Sequence, residues 1–359
     1  MVWLFVAGLV SLVLGAECLV RGASRLALSW GISPLVVGLT VVAFGTSAPE
    51  MAVAVNAVLD GRSDIAIGNA VGSNIFNVLF ILGLSALITP LAVNRQIIRQ
   101  EVPVMIAASV LLLVMGLDGS LSFFECVLLG LLMVGYTVFL IVQSRRESSA
   151  NEAAFDQANG DLPAKAPWRS GAFAQSLLVA LGLILLVTGS GWLVEAAVFF
   201  AKSLGVSDVV IGLTIVAAGT SLPEVAASLM AAIRKQRDLA IGNVVGSNIF
   251  NILGGLGLAG MVAADGLAIP AAVLNFDLWV MLAVAFACVP VIMSGRTIAR
   301  WEGGLFLGYY VAYTAYLVLA AQGHDALGPF SAVMMSFVVP LTIVTLVVVM
   351  LKPGSGRPS

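Results

Sequence analysis

Apolar residues run along most of this chain in blocks of about twenty, the length an α-helix needs to cross the hydrocarbon core of a bilayer. The blocks lie near 2–22, 34–59, 65–90, 102–117, 121–143, 172–200, 208–232, 239–263, 273–294, 301–322 and 329–351, which predicts eleven spanning helices. One long polar stretch, 143–171, is rich in Ser, Ala, Asn and charge and reads as a flexible linker. Composition agrees with the pattern. The 359 residues are 60% apolar and only 10% charged, roughly half the charged fraction of a soluble domain. The fold class is an all-α polytopic membrane protein. The first block could be mistaken for a lipoprotein signal ending at Cys18. Glu17 stands where such a signal needs a small residue, and no basic segment precedes the run, so it reads as the first transmembrane helix.

Two of the blocks are nearly the same sequence. Gly38–Glu50 is GLTVVAFGTSAPE and Gly212–Glu224 is GLTIVAAGTSLPE, ten of thirteen positions being identical at an offset of 174. The same offset lays DIAIGNAVGSNIFN at 64–77 on DLAIGNVVGSNIFN at 238–251, with twelve of fourteen identical. Identity and spacing together mark an internal repeat. Residues 1–142 form the first five-helix repeat, 143–171 the linker, 172–322 the second repeat, and 323–359 an additional C-terminal helix and tail.

Charge sets the orientation. Of the 17 basic residues, only Arg62 and Lys202 fall on one side of the predicted topology. All the others fall on the opposite side, which is therefore cytoplasmic. The N-terminus is expected outside, and the linker and C-terminal tail inside. Five is an odd number, so the second repeat enters the membrane inverted. Inverted repeats build many secondary transporters, with the substrate site near the midplane where Gly/Pro-interrupted helices of the two halves meet.

Those interrupted helices are the second and seventh. Pro49 and Pro223 supply no backbone N–H and crowd the carbonyls of Gly45 and Gly219, so Gly-Thr-Ser-x-Pro should break its helix and free carbonyl oxygens. Irregular backbone at that depth is tolerated only where it is buried or lines a cavity. The freed carbonyls, the hydroxyls of Thr46, Ser47, Thr220 and Ser221, and the carboxylates of Glu50 and Glu224 make an all-oxygen set, which suits hard cations such as Ca²⁺. Asn69, Ser73 and Asn77 share one face of the third helix, as do Asn243, Ser247 and Asn251 of the eighth. Gly68, Gly72, Gly242 and Gly246 permit close helix packing. Asp64 and Asp238 are expected to cap their helices, and Glu17 to pair with Arg21. Cys18, Cys126 and Cys288 show no metal or redox spacing and read as small core residues. His324 reads as a solvated loop residue.

With GTSAPE, GTSLPE and the twin GNxVGSNIFN segments in view, the chain resembles the calcium/cation antiporter superfamily, and most closely its prokaryotic sodium/calcium exchanger branch. The resemblance covers residues 1–322. It implies a five-plus-five inverted repeat with a central site built by the second, third, seventh and eighth helices. It also implies Na⁺-driven Ca²⁺ export by alternating access, with Glu50 and Glu224 as the main Ca²⁺ ligands. Thr46, Ser47, Ser73, Thr220, Ser221 and Ser247 would line the Ca²⁺ and Na⁺ sites, with the carbonyls of Ala43 and Ala217 and with Asn77 and Asn251 completing the centre. Some relatives have Asp where this chain has Asn251, so the potassium dependence linked to that acid is not expected here. The implied protein is a monomer in a bacterial inner membrane, using no cofactor and binding no nucleic acid. A Ca²⁺/H⁺ exchanger with the same two glutamates is the alternative. An ion channel would need a continuous pore, which inverted symmetry within one chain disfavours. An intramembrane metal enzyme lacks the His and Cys that such sites use.

Overall fold

The computed structural model describes residues 1–158, 172–204, 217–263, 266–293 and 296–351. Among these residues nine helices are long and apolar enough to cross a membrane, and the bent pair Pro34–Thr46 and Ala48–Leu59 makes a tenth. In chain order the first span is Val2–Ala27, the second is the bent pair, and the third to sixth are Ser63–Ile88, Ile97–Asp118, Phe123–Arg146 and Ala172–Ser203. The eighth to eleventh are Arg237–Val262, Val273–Ile292, Arg300–Gln322 and Leu327–Thr345. The seventh is represented by the apolar helix Leu222–Ile233. The rest of its expected range, 208–216, lies outside the described residues.

One boundary differs from expectation. The helix that starts at Phe123 continues to Ala158, so the first half of the stretch expected as a flexible linker is helical. Its Arg, Glu, Gln and Ala residues are good helix formers, and neither Pro nor Gly interrupts them before Gly160. Residues 159–171 lie outside the described set.

The third and eighth spans form the centre. Over an 18-residue apolar stretch of each, 72% and 83% of the residues are enclosed, against 28% for the fifth and sixth. Around this core the halves are locked by close backbone packing. Gly8 of the first span meets Gly189 of the sixth, and Gly15 meets Gly182, so the two helices run antiparallel. Gly182 and Gly189 are the repeat counterparts of Gly8 and Gly15, and the antiparallel pairing is what inverted halves require. Small residues matter here because helices in lipid associate through packing, with little hydrophobic drive.

Two short ladders tie the repeats at their loops. Leu91–Ala92 pairs antiparallel with Thr297–Ile298, and Ser120–Leu121 with Leu267–Ala268. Glu17 does pair with Arg21, and Arg234 from the second half joins them. The eleventh span packs on the outside, where Tyr309 of the tenth donates to Thr342 at 2.6 Å.

The packing of the first and sixth spans makes a prediction. A Cβ at Gly182 would lie 2.6 Å from the Leu19 nitrogen and 2.8 Å from the Gly15 oxygen. Overpacking of this kind costs about 1–3 kcal/mol. Gly182→Val should therefore lower the thermal unfolding midpoint in detergent. Gly191→Val, at a site with nothing within 4 Å, should leave it unchanged.

Candidate functional site

The second span breaks at Ser47, where the backbone leaves the helical region with φ −82° and ψ 0°, and the two half-helices meet at 43°. Ser221 repeats that geometry with φ −87° and ψ 5°. Pro49 and Pro223 lie at the start of the half-helices Ala48–Leu59 and Leu222–Ile233, where no intrahelical N–H is required. The prolines thus begin new helices rather than bend old ones from inside. Glu50 and Glu224 fall in the first turns that follow, at the positive end of each half-helix.

The carbonyls at the breaks are partly engaged. Pro223 frees the Gly219 carbonyl, and Ser190 donates to it at 2.6 Å. The Ala43 carbonyl accepts the Ser47 N–H at 3.0 Å and the Thr46 hydroxyl at 3.4 Å. Ala217 opens the short turn Ala217–Gly219 before the second break.

The two halves then exchange hydrogen bonds. Ser47 donates to Glu224 Oε1 at 3.1 Å, and Ser221 donates to Glu50 Oε1 at 2.9 Å. Each carboxylate is thus held by the serine of the opposite repeat. Ser221 also lies 3.4 Å from the Ser73 hydroxyl. The polar face of each central helix supports the break beside it. Asn69 donates to the Glu50 carbonyl, and Asn243 to the Glu224 carbonyl and to Ser228. Thr46 donates to Asn243 Oδ1 at 3.1 Å. Gly246 lets the eighth span approach the first half of the second, since a Cβ there would lie 2.7 Å from the Leu39 oxygen.

Both carboxyl groups are buried, with Glu50 2% and Glu224 1% exposed. Among the described residues neither makes an ion pair. Six side-chain oxygens of the expected site are buried and lack a hydrogen-bond partner: Glu50 Oε2, Glu224 Oε2, Asn77 Oδ1, Asn251 Oδ1, Thr220 Oγ1 and Ser247 Oγ. A buried polar atom left unbonded costs about 1–3 kcal/mol, and more if it is charged. Six such oxygens, on four neighbouring spans and at the break in one of them, are of the chemical kind that hard cations take as ligands. All the residues expected to meet at the centre through their side chains, Thr46, Ser47, Glu50, Ser73, Asn77, Thr220, Ser221, Glu224, Ser247 and Asn251, lie on these helices or at their breaks.

Sequence reasoning missed Asn74 and Asn248, which stand between the central helices. Asn77 donates to Asn248 Oδ1 at 3.0 Å, and Asn251 donates to Asn74 Oδ1 at 3.1 Å. Their signal was the repeat itself, since each is the first Asn of a GSNIFN segment. A π-helical turn starts at Asn77, and another runs over Phe250–Leu256 around Asn251. Asp64 and Asp238 do not cap: each sits inside the first turn of its helix, with no side-chain cap hydrogen bond. There a carboxylate still meets the favourable end of the helix dipole.

A sequence model described as sodium/calcium exchanger protein matches residues 1–142 and 175–319. Sodium/calcium exchanger MaX1 of Methanosarcina acetivorans is 34% identical over 344 residues, covering 86% of this chain and 96% of that protein. Inner membrane protein YrbG of Escherichia coli is 33% identical over 314 residues, covering 88% and 95%. Among solved structures, the sodium-calcium exchanger NCX_Mj matches with a TM-score of 0.74 at 32% identity, covering 88% of this chain and 98% of its own.

Proposed function

The chain belongs to the sodium/calcium exchanger family, and from that premise we propose that it moves Ca²⁺ against Na⁺ by alternating access, with Glu50 and Glu224 as the charged ligands. It is an integral membrane protein and a cation antiporter, as its family is. The observation that carries the finer reading is the set of six buried, unpartnered oxygens contributed by both repeats. Ca²⁺ takes six to eight oxygen ligands at this kind of site. Two ionised glutamates give a charge of −2, which one Ca²⁺ balances. Removing either carboxylate leaves the ion with a single counter-charge in a low dielectric, where that loss is worth far more than in water. Asn77 and Asn251 add oxygen without charge, so the centre does not carry the third acid that would favour potassium. Thr46, Ser47, Ser73, Thr220, Ser221 and Ser247 supply hydroxyls around the two acids, and the carbonyls of Ala43 and Ala217 lie at the breaks. The protein works as a monomer in this reading, because one chain supplies both halves of the site.

The test is Ca²⁺ uptake into vesicles under an imposed Na⁺ gradient and, separately, an imposed proton gradient. Uptake driven by Na⁺ alone is the expected outcome. Uptake driven by protons alone would assign the same two glutamates to Ca²⁺/H⁺ exchange. Glu50→Gln and Glu224→Gln should each abolish exchange while the protein still inserts, and wild-type flux in either would remove the assignment.

We place the N-terminus outside and the C-terminal tail in the cytoplasm, on the distribution of Lys and Arg. The ladder between Ser120–Leu121 and Leu267–Ala268 bears on the number of crossings which that placement assumes. Its strands share one membrane face, which needs an even number of crossings between them. The fifth, sixth and eighth spans leave the helix Leu222–Ile233 to complete that number. A reporter fused after Lys352 should be cytoplasmic, and one inserted between 265 and 270 external. An external tail would remove the eleventh crossing.

Coupling follows from the same charges. Two Na⁺ would balance both carboxylates, and a third would leave a net positive charge unless carbonyl and helix-end dipoles offset it. Family membership favours three, and exchange should then respond to membrane voltage. Rates that stay constant while potassium and valinomycin set widely different potentials would establish the neutral ratio.

A further inference from the structure

The amides of Asn77 and Asn251 can help a cation only in one orientation. Each amide has an acceptor end and a donor end of nearly equal size. Turned the wrong way, it would present two N–H groups to a positive ion. Both oxygens, Asn77 Oδ1 and Asn251 Oδ1, are the ends without a partner, while both nitrogens are bonded away from them. The choice is made one step further out. Asn74 Nδ2 meets the backbone carbonyl of Asn248 at 3.3 Å and the Met281 sulfur at 3.6 Å. A carbonyl accepts and never donates, so Asn74 must turn its nitrogen there and its oxygen towards Asn251. Asn251 must then offer its nitrogen in return, which leaves its own oxygen free. In the other half Asn248 Nδ2 meets the Met105 sulfur at 3.4 Å, an atom that only accepts. Asn248 Oδ1 therefore faces Asn77 and takes its nitrogen.

We infer that Asn74 and Asn248 are positioning residues, whose hydrogen bonds across the pseudo-two-fold axis hold the amide oxygens of Asn251 and Asn77 towards the transported cation. The arrangement is crossed, so each central helix sets the ligand of the other. All four side chains are buried, with exposures from 1% to 3%, so water does not compete for these bonds. Leucine matches asparagine in shape but has no acceptor. Replacing Asn74 would therefore leave Asn251 free to turn while filling the same space.

This inference rests on the proposal that Asn77 and Asn251 face the ion, and the experiment separates the two. Equilibrium binding of radioactive Ca²⁺ to the purified full-length protein is measured for Asn74→Leu, in the native background and with Asn251→Asp. A carboxylate has two oxygens and needs no orienting. Asn74→Leu should raise the half-saturating Ca²⁺ concentration about tenfold in the native background, the size of losing one charge-assisted contact. With Asn251→Asp present it should raise it less than about twofold. An equal loss in both backgrounds would mean that Asn74 only packs, and no loss in the first would likewise overturn the inference. If Asn74→Leu does not fold, Asn248→Leu with Asn77→Asp asks the same question from the other half. Undiminished Ca²⁺ binding by Glu50→Gln would instead overturn the site itself, whatever the asparagines do.

Discussion

Two carboxylates in the middle of a membrane govern the rest of this structure. An ion of that size meets an idealised transfer cost on the order of 20 kcal/mol, and still several kcal/mol after relaxation. Among the described residues no basic side chain pairs with Glu50 or Glu224. In the proposed reading the ions that pass through supply the charge balance, and the protein provides partial compensation. Helix ends point their positive dipoles at both acids, and a serine from the opposite half donates to each. The broken helices exist because that compensation needs helix N-termini at mid-membrane depth. An unbroken span could not deliver them.

The surrounding packing keeps those ends in place. The third and eighth spans hold the backbone of both breaks through Asn69 and Asn243, and the first and sixth spans close over them along a glycine seam. Ser190, on the sixth span, bonds the carbonyl that Pro223 leaves without a donor. Hydrogen bonds inside a membrane protein carry weight because lipid offers no replacement partner. Rigid support and irregular backbone therefore appear together. The eleventh span takes no part in this, and the family match ends at residue 319, before it begins.

Most of the architecture was legible because membrane spans and a repeat are both one-dimensional signals. Block length locates the helices, and the 174-residue offset joins Glu50 to Glu224. What escaped was everything that depends on the contact between halves. A helical face places Asn69, Ser73 and Asn77 together, and Asn74 falls a quarter-turn away, towards a partner that one helix cannot reveal. The prolines announce the breaks, but chain position alone does not say that a new helix begins right after the serine. The polar stretch after residue 143 looked like a linker by composition, although its residues also favour helix.

The crossed bonds also describe how incomplete each half is. Ser47 with Glu224 and Ser221 with Glu50 are one contact made twice, as are Asn77 with Asn248 and Asn251 with Asn74. Such reciprocity is the mark of an isologous interface, in which the same patch meets itself about a two-fold axis. Here both patches belong to one polypeptide, so covalent linkage performs the task that self-association performs in a homodimer. A single five-helix unit would hold a glutamate without its serine donor and an asparagine without its orienting neighbour. It would become whole only beside an upside-down copy of itself. Symmetry in this fold is thus a condition for assembling the centre, and substitutions in one half are felt first by the polar side chains of the other.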